Sequence, residues 1–356
     1  MQKIGIVGIG NISKIYLDNL MGMFAKRIKL NAVTDLAFER AEKAASDYNV
    51  KAFKSVDEML KSADVDIILN ITPPKIHYEV ALAALNAGKH VYNEKPLCTK
   101  REEAALLLKT AAEKGVRVGG APDTFLGAGL QTCRKLIDDG WIGTPVAANA
   151  AMMGHGPEHW HPSPQFFYKD GGGPMFDMGP YYITALVSLL GPVARVSGSA
   201  RISTPTRTIT NQYQYGELIN VEVPTHIAGV LDFASGVVGT LITSFDVYSH
   251  SMPRIEIYGT EGTLQVPDPN TFGGPVFVRR FREEEWYKIP LLKAYPDNSR
   301  GLGITEMAEA IEEGRPHRAS AEMAFHVLDT MHGIHDASSA GKHVKLKSKC
   351  KRPAAY

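Results

Sequence analysis

The chain has 356 residues, enough for two domains or one large one. Hydrophobic residues make up 44% and charged residues 22%, so an ordinary core forms without disulfide or metal staples. The formal net charge of +1 excludes the basic footprint of a nucleic-acid binder. The one basic run, Lys345, Lys347, Lys349, Lys351 and Arg352, reads as a solvated segment. Cys98, Cys133 and Cys350 are too few and too widely spaced for a disulfide framework or a zinc site. They fit a reducing cytoplasm. The N-terminus runs straight into a strand-like segment without a leader pattern, and no apolar stretch is long enough to span a bilayer.

Over the first 120 residues the hydrophobic period switches between two values. Lys3-Ile4-Gly5-Ile6-Val7 has the pattern of a short buried strand, and 11–24 that of a helix. Residues 30–34 form a second strand and 37–48 a helix. A strand at 66–70 follows, then a helix at 76–87 stopped by Gly88. Next come a strand at 90–92, a helix at 100–114 stopped by Gly115, and a strand at 116–118. Strands alternating with helices imply a parallel sheet covered on both faces. After Gly119-Gly120 the pattern changes. A bridging helix at 125–139 leads into a strand-rich stretch from 145 to about 290, with closely spaced strands at 227–233, 237–245, 254–258, 263–266 and 276–281. One helix interrupts it at 174–190, and two more, 303–313 and 320–340, close the chain. The expected architecture is therefore an α/β domain over 1–122. An α+β domain with a large, open, mostly antiparallel sheet is expected over 123–356.

Gly8-Ile9-Gly10-Asn11-Ile12-Ser13 joins the first strand to the first helix. The first glycine permits a tight turn, and the second lets backbone approach a pyrophosphate. The helix N-terminus offers free N–H groups and a positive dipole end. Ser13 stands where a third glycine is usual, and it is small enough for close packing. Without a ligand the same pattern is only a tight turn; the strand–turn–helix context favours dinucleotide binding, Rossmann-type, by Gly8, Gly10, Asn11 and Ile12. Asp35 ends the second strand, where a carboxylate can accept from both ribose hydroxyls and repel a 2′-phosphate, favouring NAD over NADP. It is also a good N-cap for the following helix, and the two roles are compatible. Arg40, one turn on, leaves room for NADP.

Asn93-Glu94-Lys95-Pro96-Leu97 follows the strand at 90–92, and Ile71-Thr72-Pro73-Pro74-Lys75-Ile76-His77 follows the strand before it. Alone, Glu94 and Lys95 read as a surface ion pair. Together with Ala84-Leu85-Asn86-Ala87-Gly88-Lys89-His90-Val91, with Arg300-Gly301 and with Glu306-Met307-Ala308, the series resembles the glucose–fructose oxidoreductase, inositol dehydrogenase and rhizopine-catabolism (Gfo/Idh/MocA) family. The resemblance covers nearly the whole chain. It implies hydride transfer between a nicotinamide cofactor and a secondary alcohol or carbonyl of a sugar, glycoside or cyclitol. It also implies a homodimer or homotetramer built through the open sheet. Lys95 matches the family's lysine, Glu94 is expected to orient it and the nicotinamide ribose, and Thr72, Pro73 and His77 match the loop along the nicotinamide half. A lysine near a cationic ring would have a lowered pKa and could exchange a proton with a substrate hydroxyl.

Gly171-Gly172-Gly173-Pro174 opens the helix carrying Asp177 and, one turn on, Tyr181. The family usually has histidine at the second of these positions, so here the template departs. Either Lys95 and Tyr181 share proton transfer, or Lys95 acts alone while Asp177 and Tyr181 grip the substrate, or Tyr181 merely packs. His155, Trp160 and His161 lie in a glycine-bounded loop; a tryptophan stacks on pyranose faces and imidazoles bond hydroxyls. Three histidines there invite a metal, but their spacing and the family chemistry argue for none. Asp123 and His226 are further substrate candidates. Two rival functions remain: a non-catalytic NAD-binding sensor, which needs no proton path, and a redox-neutral enzyme with tightly held NAD.

Overall fold

Short β-branched runs buried on both sides require a parallel sheet with helices on each face, and the computed structural model, which describes residues 1–356, contains one. Strands β1 (Lys3–Val7), β2 (Lys29–Thr34), β3 (Lys51–Phe53), β4 (Ile67–Asn70), β5 (His90–Asn93) and β6 (Val118–Gly120) pair in the order β3-β2-β1-β4-β5-β6, all parallel. Helices α1 (Ser13–Met21), α2 (Phe38–Tyr48), α3 (Val56–Ser62), α4 (His77–Asn86) and α5 (Arg101–Lys114) connect them. The strand order reverses between β1 and β4, which opens a crevice at their carboxyl ends. Ile4, Ile6, Ile67, Ile68, Leu69 and Val91 are fully buried. Helix α1 is shorter than the expected 11–24, because its end is turned at Gly22. β3 and α3 were not marked by periodicity; three and seven residues are too few for a period to show. β6 lies two residues later than expected. Its glycines are needed for packing: a Cβ on Gly119 would lie 2.7 Å from the Tyr92 ring, and one on Gly120 2.9 Å from Ala324.

The second unit comprises Gly127–Asp297 and Asp329–Tyr356. It begins with α6 (Ala128–Asp138) and is organised by α7 (Gly173–Leu190) and nine paired strands. These are β7 (Pro145–Met153), β8 (Val193–Arg201), β11 (His226–Phe233), β12 (Val238–Ser244), β13 (Ile255–Gly259), β14 (Gly262–Val266), β15 (Val276–Arg280), β16 (Tyr287–Ile289) and β17 (Val344–Lys345). Between β8 and β11, β9 (Thr206–Thr208) and β10 (Leu218–Asn220) form a separate ribbon. The order is β16-β15-β14-β13-β7-β12-β11-β8-β17, antiparallel except for the parallel pair β7–β12. Alternation sorts the strands: Ile227, Leu231 and Leu241 are buried on the face where α7 packs, while Ala228, Val230, Thr240 and Ile242 are half-buried on the other.

The ribbon and the loop after β7 close over a small core of Phe167, Tyr168, Ile209, Ile219, Val221 and Phe245. One arginine holds this region together. Arg207 Nε donates to Glu158 Oε1 at 2.6 Å, Nη1 to Asp246 Oδ1 at 2.8 Å, and Nη2 to the carbonyls of His155 at 2.8 Å and Phe245 at 2.9 Å. The Tyr168 hydroxyl donates to the other Glu158 oxygen, and Thr225 Oγ1 to Asp246 Oδ2 at 2.7 Å. Arg207 and Glu158 are both buried, so the pair is bonded on every side rather than solvated.

Asn298–Leu328 returns to the first unit, which is therefore Met1–Leu126 plus this segment. The single domain expected over 123–356 is thus divided, and the second dividing point falls within α9 (Ala321–Ala340), after α8 (Leu302–Glu312). Polar groups anchor the returning segment. Asn19 Nδ2 donates to the carbonyls of Asn298 at 2.9 Å and Arg300 at 2.8 Å. The fully buried Glu306 is met by Arg315 at 2.5 Å and Arg318 at 2.6 Å. Asp123 Oδ2 accepts the N–H groups of Gly301 and Gly303, each at 3.0 Å, at the start of α8. Asp123 is 1% exposed, which corrects its expected place in a substrate site: it is a helix anchor. Burial pushes its carboxyl up to about 6, against the pull of the Gly303 N–H and Arg300. No helix is long and apolar enough to cross a membrane.

Two outcomes follow from these buried charges. A folded pKa near 6 lies above the unfolded value of about 3.8, so this group favours folding at low pH and the benefit fades as pH rises through 6. Asp123→Asn keeps an oxygen for both N–H groups and removes that dependence. Between pH 5 and pH 8, urea unfolding of the wild type should weaken relative to Asp123→Asn by roughly 1–1.5 kcal/mol. Arg207→Met strands Glu158 as an unpaired buried charge and should cost about 3–5 kcal/mol in calorimetric or denaturant unfolding.

Candidate functional site

In the first unit the ends of β1, β4 and β5 meet. Gly8 has a φ of +99°, and its N–H donates to the Thr34 carbonyl at 2.9 Å. A Cβ there would lie 2.9 Å from the Ile71 carbonyl oxygen and 3.0 Å from Thr72 N, so only glycine lets this turn pass the end of β4. A Cβ on Gly10 would meet nothing within 4 Å. That residue leaves space above the turn, as the approach of a ligand requires. Asn11 and Ile12 are exposed beside it. Ser13 is buried, and its hydroxyl donates to the Gly10 carbonyl at 2.7 Å, so the serine closes the turn with a bond that a glycine could not make. Asp35 accepts from Ile9 N at 2.6 Å and from Ala37 N at 2.8 Å. Its carboxylate ties the glycine turn to the start of α2 and keeps further lone pairs for ribose hydroxyls.

The loops after β4 and β5 rest on a buried amide pair. Asn70 and Asn93 are register partners at the strand ends, and both are fully buried. Asn70 Nδ2 donates to Asn93 Oδ1 at 3.0 Å, and Asn70 Oδ1 accepts the Thr72 hydroxyl at 2.7 Å. Asn93 Nδ2 donates to the Leu97 carbonyl at 2.8 Å, closing the turn that carries Lys95 and its cis bond to Pro96. Glu94 takes the Lys95 backbone N–H at 2.7 Å and the Tyr16 hydroxyl at 2.7 Å. His77 is 1% exposed, with Nδ1 2.7 Å from the Pro96 carbonyl and Nε2 2.7 Å from the Thr72 carbonyl. Burial pulls its pKa down, opposed by those two carbonyls and Glu94. Both its ring nitrogens face protein groups, so it braces the two loops rather than presenting a ring edge to a cofactor. Pro73 is exposed. Tyr16, Asn70 and Asn93 escaped the sequence reading. The available signal was an asparagine closing each of two successive apolar strands.

In the second unit, Asp177 is half-buried and Tyr181 7% exposed, one turn apart on α7. The loop after β7 holds His155, stacked on Tyr248 with ring centroids 3.7 Å apart, and Trp160, which is 58% exposed. His161 lies edge-on to Trp160, and its Nδ1 accepts the Ser163 N–H at 3.0 Å. The 164–168 turn runs from this loop into α7, with Gly172 N bonded to the Lys169 carbonyl at 2.8 Å. His226 heads β11 and is half-buried. Strand alternation puts it with Ala228 and Val230 on the face opposite α7, where it bonds Ser244 Oγ at 2.9 Å. No three His, Cys, Asp or Glu side chains are grouped to hold a metal ion.

Similarity to known proteins covers both units. Residues 2–121 match the oxidoreductase family with an NAD-binding Rossmann fold, and residues 130–265 match the GFO/IDH/MocA C-terminal domain. The chain is 26% identical over 351 residues to the 1,5-anhydro-D-fructose reductase of Ensifer adhaerens, covering 98% of this chain and 99% of the relative. A crystal structure of an NAD-binding oxidoreductase from Klebsiella pneumoniae superposes with a TM-score of 0.84 at 21% identity, over 98% of this chain and 100% of that one. Levoglucosan dehydrogenase in complex with NADH and L-sorbose gives 0.81 at 21%, over 98% and 99%. With both domain types matched in order over most of its length, the chain belongs to the Gfo/Idh/MocA family of oxidoreductases.

Proposed function

We propose that this protein is an NAD-dependent dehydrogenase that oxidises a secondary alcohol of a sugar, glycoside or cyclitol, or reduces the matching carbonyl. The observation that carries this is Lys95, on a turn fixed by Glu94, Asn93 and His77 at the carboxyl end of β5, next to the Thr72 loop and the open glycine turn. A protein that only sensed a dinucleotide would have no use for a lysine on so firmly held a turn. The residues fit the cofactor: Gly8, Gly10, Asn11 and Ile12 would face its pyrophosphate, Asp35 its adenosine ribose, and Thr72, Pro73 and Glu94 its nicotinamide half. When bound, NAD supplies the hydride acceptor. Asp35 disfavours a 2′-phosphate and so favours NAD over NADP.

The chain's own part is proton transfer and grip. Lys95 Nζ exchanges a proton with the reacting oxygen of the substrate. Tyr181 shares that proton path, and Asp177, one turn before it, orients the substrate. Trp160 offers an exposed indole face for a pyranose ring, with His155 and His161 bonding hydroxyls around it. The half-buried face of the nine-stranded sheet, with Val230, Thr240 and Ile242, would be covered by a second copy in a dimer or tetramer.

Sugars, inositols and glycosides assayed with NAD and NADP at NADH absorbance should reveal at least one substrate, turned over faster with NAD. Tight NAD binding without turnover of any of them would contradict the dehydrogenase assignment. Lys95→Ala should lower kcat by about 10³-fold or more with the NAD dissociation constant nearly unchanged. Tyr181→Phe should lower kcat by at least about tenfold. Near-normal turnover in that variant would remove the tyrosine from the proton path.

A further inference from the structure

Tyr16 lies on α1, the helix that opens at the glycine turn, and is fully buried. Its hydroxyl donates at 2.7 Å to Glu94 Oε1, 78 residues away in the chain. The other oxygen of the same carboxylate takes the backbone N–H of Lys95, also at 2.7 Å. Burial, and then the charge of Glu94, holds the phenol well above its usual range, so it stays a donor throughout the working pH range. One carboxylate thus joins the helix that would face the cofactor phosphates to the peptide from which the Lys95 side chain springs.

Taking Lys95 as the proton-transfer group, as proposed above, we infer that Tyr16 is a positioning residue for it, acting through Glu94. The effect has two parts. The bond fixes where the lysine's backbone sits relative to α1, and hence relative to the dinucleotide turn at its N-terminus. The hydroxyl also draws negative charge from Glu94. Without it the carboxylate acts on its neighbour with fuller charge and favours the ammonium form of Lys95.

Tyr16→Phe keeps the buried ring and removes only the donor. Turnover of the best sugar with NAD should fall about tenfold, the usual scale for one hydrogen bond to a charged group. Its KM and the NAD dissociation constant should stay within about twofold. The pH at which Lys95 loses its proton, followed by NMR of ¹⁵N-lysine-labelled protein, should move upward. The double variant Tyr16→Phe/Glu94→Gln should be no slower than Glu94→Gln alone, because both act through one bond. In the wild type, proton NMR should show one slowly exchanging, downfield tyrosine hydroxyl. Unchanged turnover with an unchanged Lys95 titration overturns the inference, as do additive losses in the double variant. Absence of the hydroxyl signal from the wild type overturns it too, and decides the matter even where Tyr16→Phe does not fold. If no sugar is turned over by the wild type, it is the dehydrogenase assignment that fails; the lysine titration and the hydroxyl signal still decide the role of Tyr16.

Discussion

Backbone groups at the carboxyl ends of β4 and β5 leave the sheet inside a core that excludes water, and each must be met by a side chain. The Asn70–Asn93 pair does this for both loops at once. Each amide has a donor end and an acceptor end, so the pair can bond to itself and still reach the chain on either side. Asn70 also donates to the His77 carbonyl, and Asn93 to that of Leu97. A buried carboxylate in either place would need a cation, and a leucine would leave the turns unsatisfied. Neutral amides hold the loops without adding charge where a charged cofactor and a lysine must work.

Charge enters only where it is braced. Glu94 is nearly buried, yet a tyrosine hydroxyl and a backbone N–H share its oxygens. Asp123 spends one oxygen on the first N–H groups of α8, and its raised pKa records how weakly that compensates for burial. In the second unit Arg207 serves two carboxylates and two carbonyls through its three nitrogens. The guanidinium suits this because its donors are fixed in a plane, and a lysine could not span the same set. The loop bearing His155 and Trp160 is therefore held from below, while the Trp160 indole stays in solvent.

Local patterns carried much of this in the sequence. The alternation of strands and helices, the glycine turn and the placement of Lys95 after a strand were all legible, because each depends on residues adjacent in the chain. The α/β domain with a second, large, mostly antiparallel sheet followed from the same periods. What was not legible depends on distant partners. The return of 298–328 to the first unit rests on Asn19 bonding carbonyls 279 and 281 residues away. Asp123 looked like a substrate ligand because it follows a strand; its partners, Gly301 and Gly303, lie far beyond any local pattern. The face that His226 presents was not legible for another reason. A strand's alternation shows which residues share a face, but not which of the two faces a helix will cover.

The same distinction bears on Tyr181. Its helix opens on a run of glycines and a proline, which place little side-chain bulk near the turn, and Pro180 sits inside it. A proline within a helix removes one backbone N–H, so a carbonyl one turn earlier, that of Phe176, lacks its usual donor. Pro180 lies between Asp177 and Tyr181, and the helix nevertheless runs on to Leu190. Tyr181 is nearly buried, one turn beyond the half-buried Asp177, while Tyr182 beside it is fully buried, and burial pushes its phenol up to about 12. Tyr182 fills space inside the core, while Tyr181 stands one turn beyond Asp177 on the same helix.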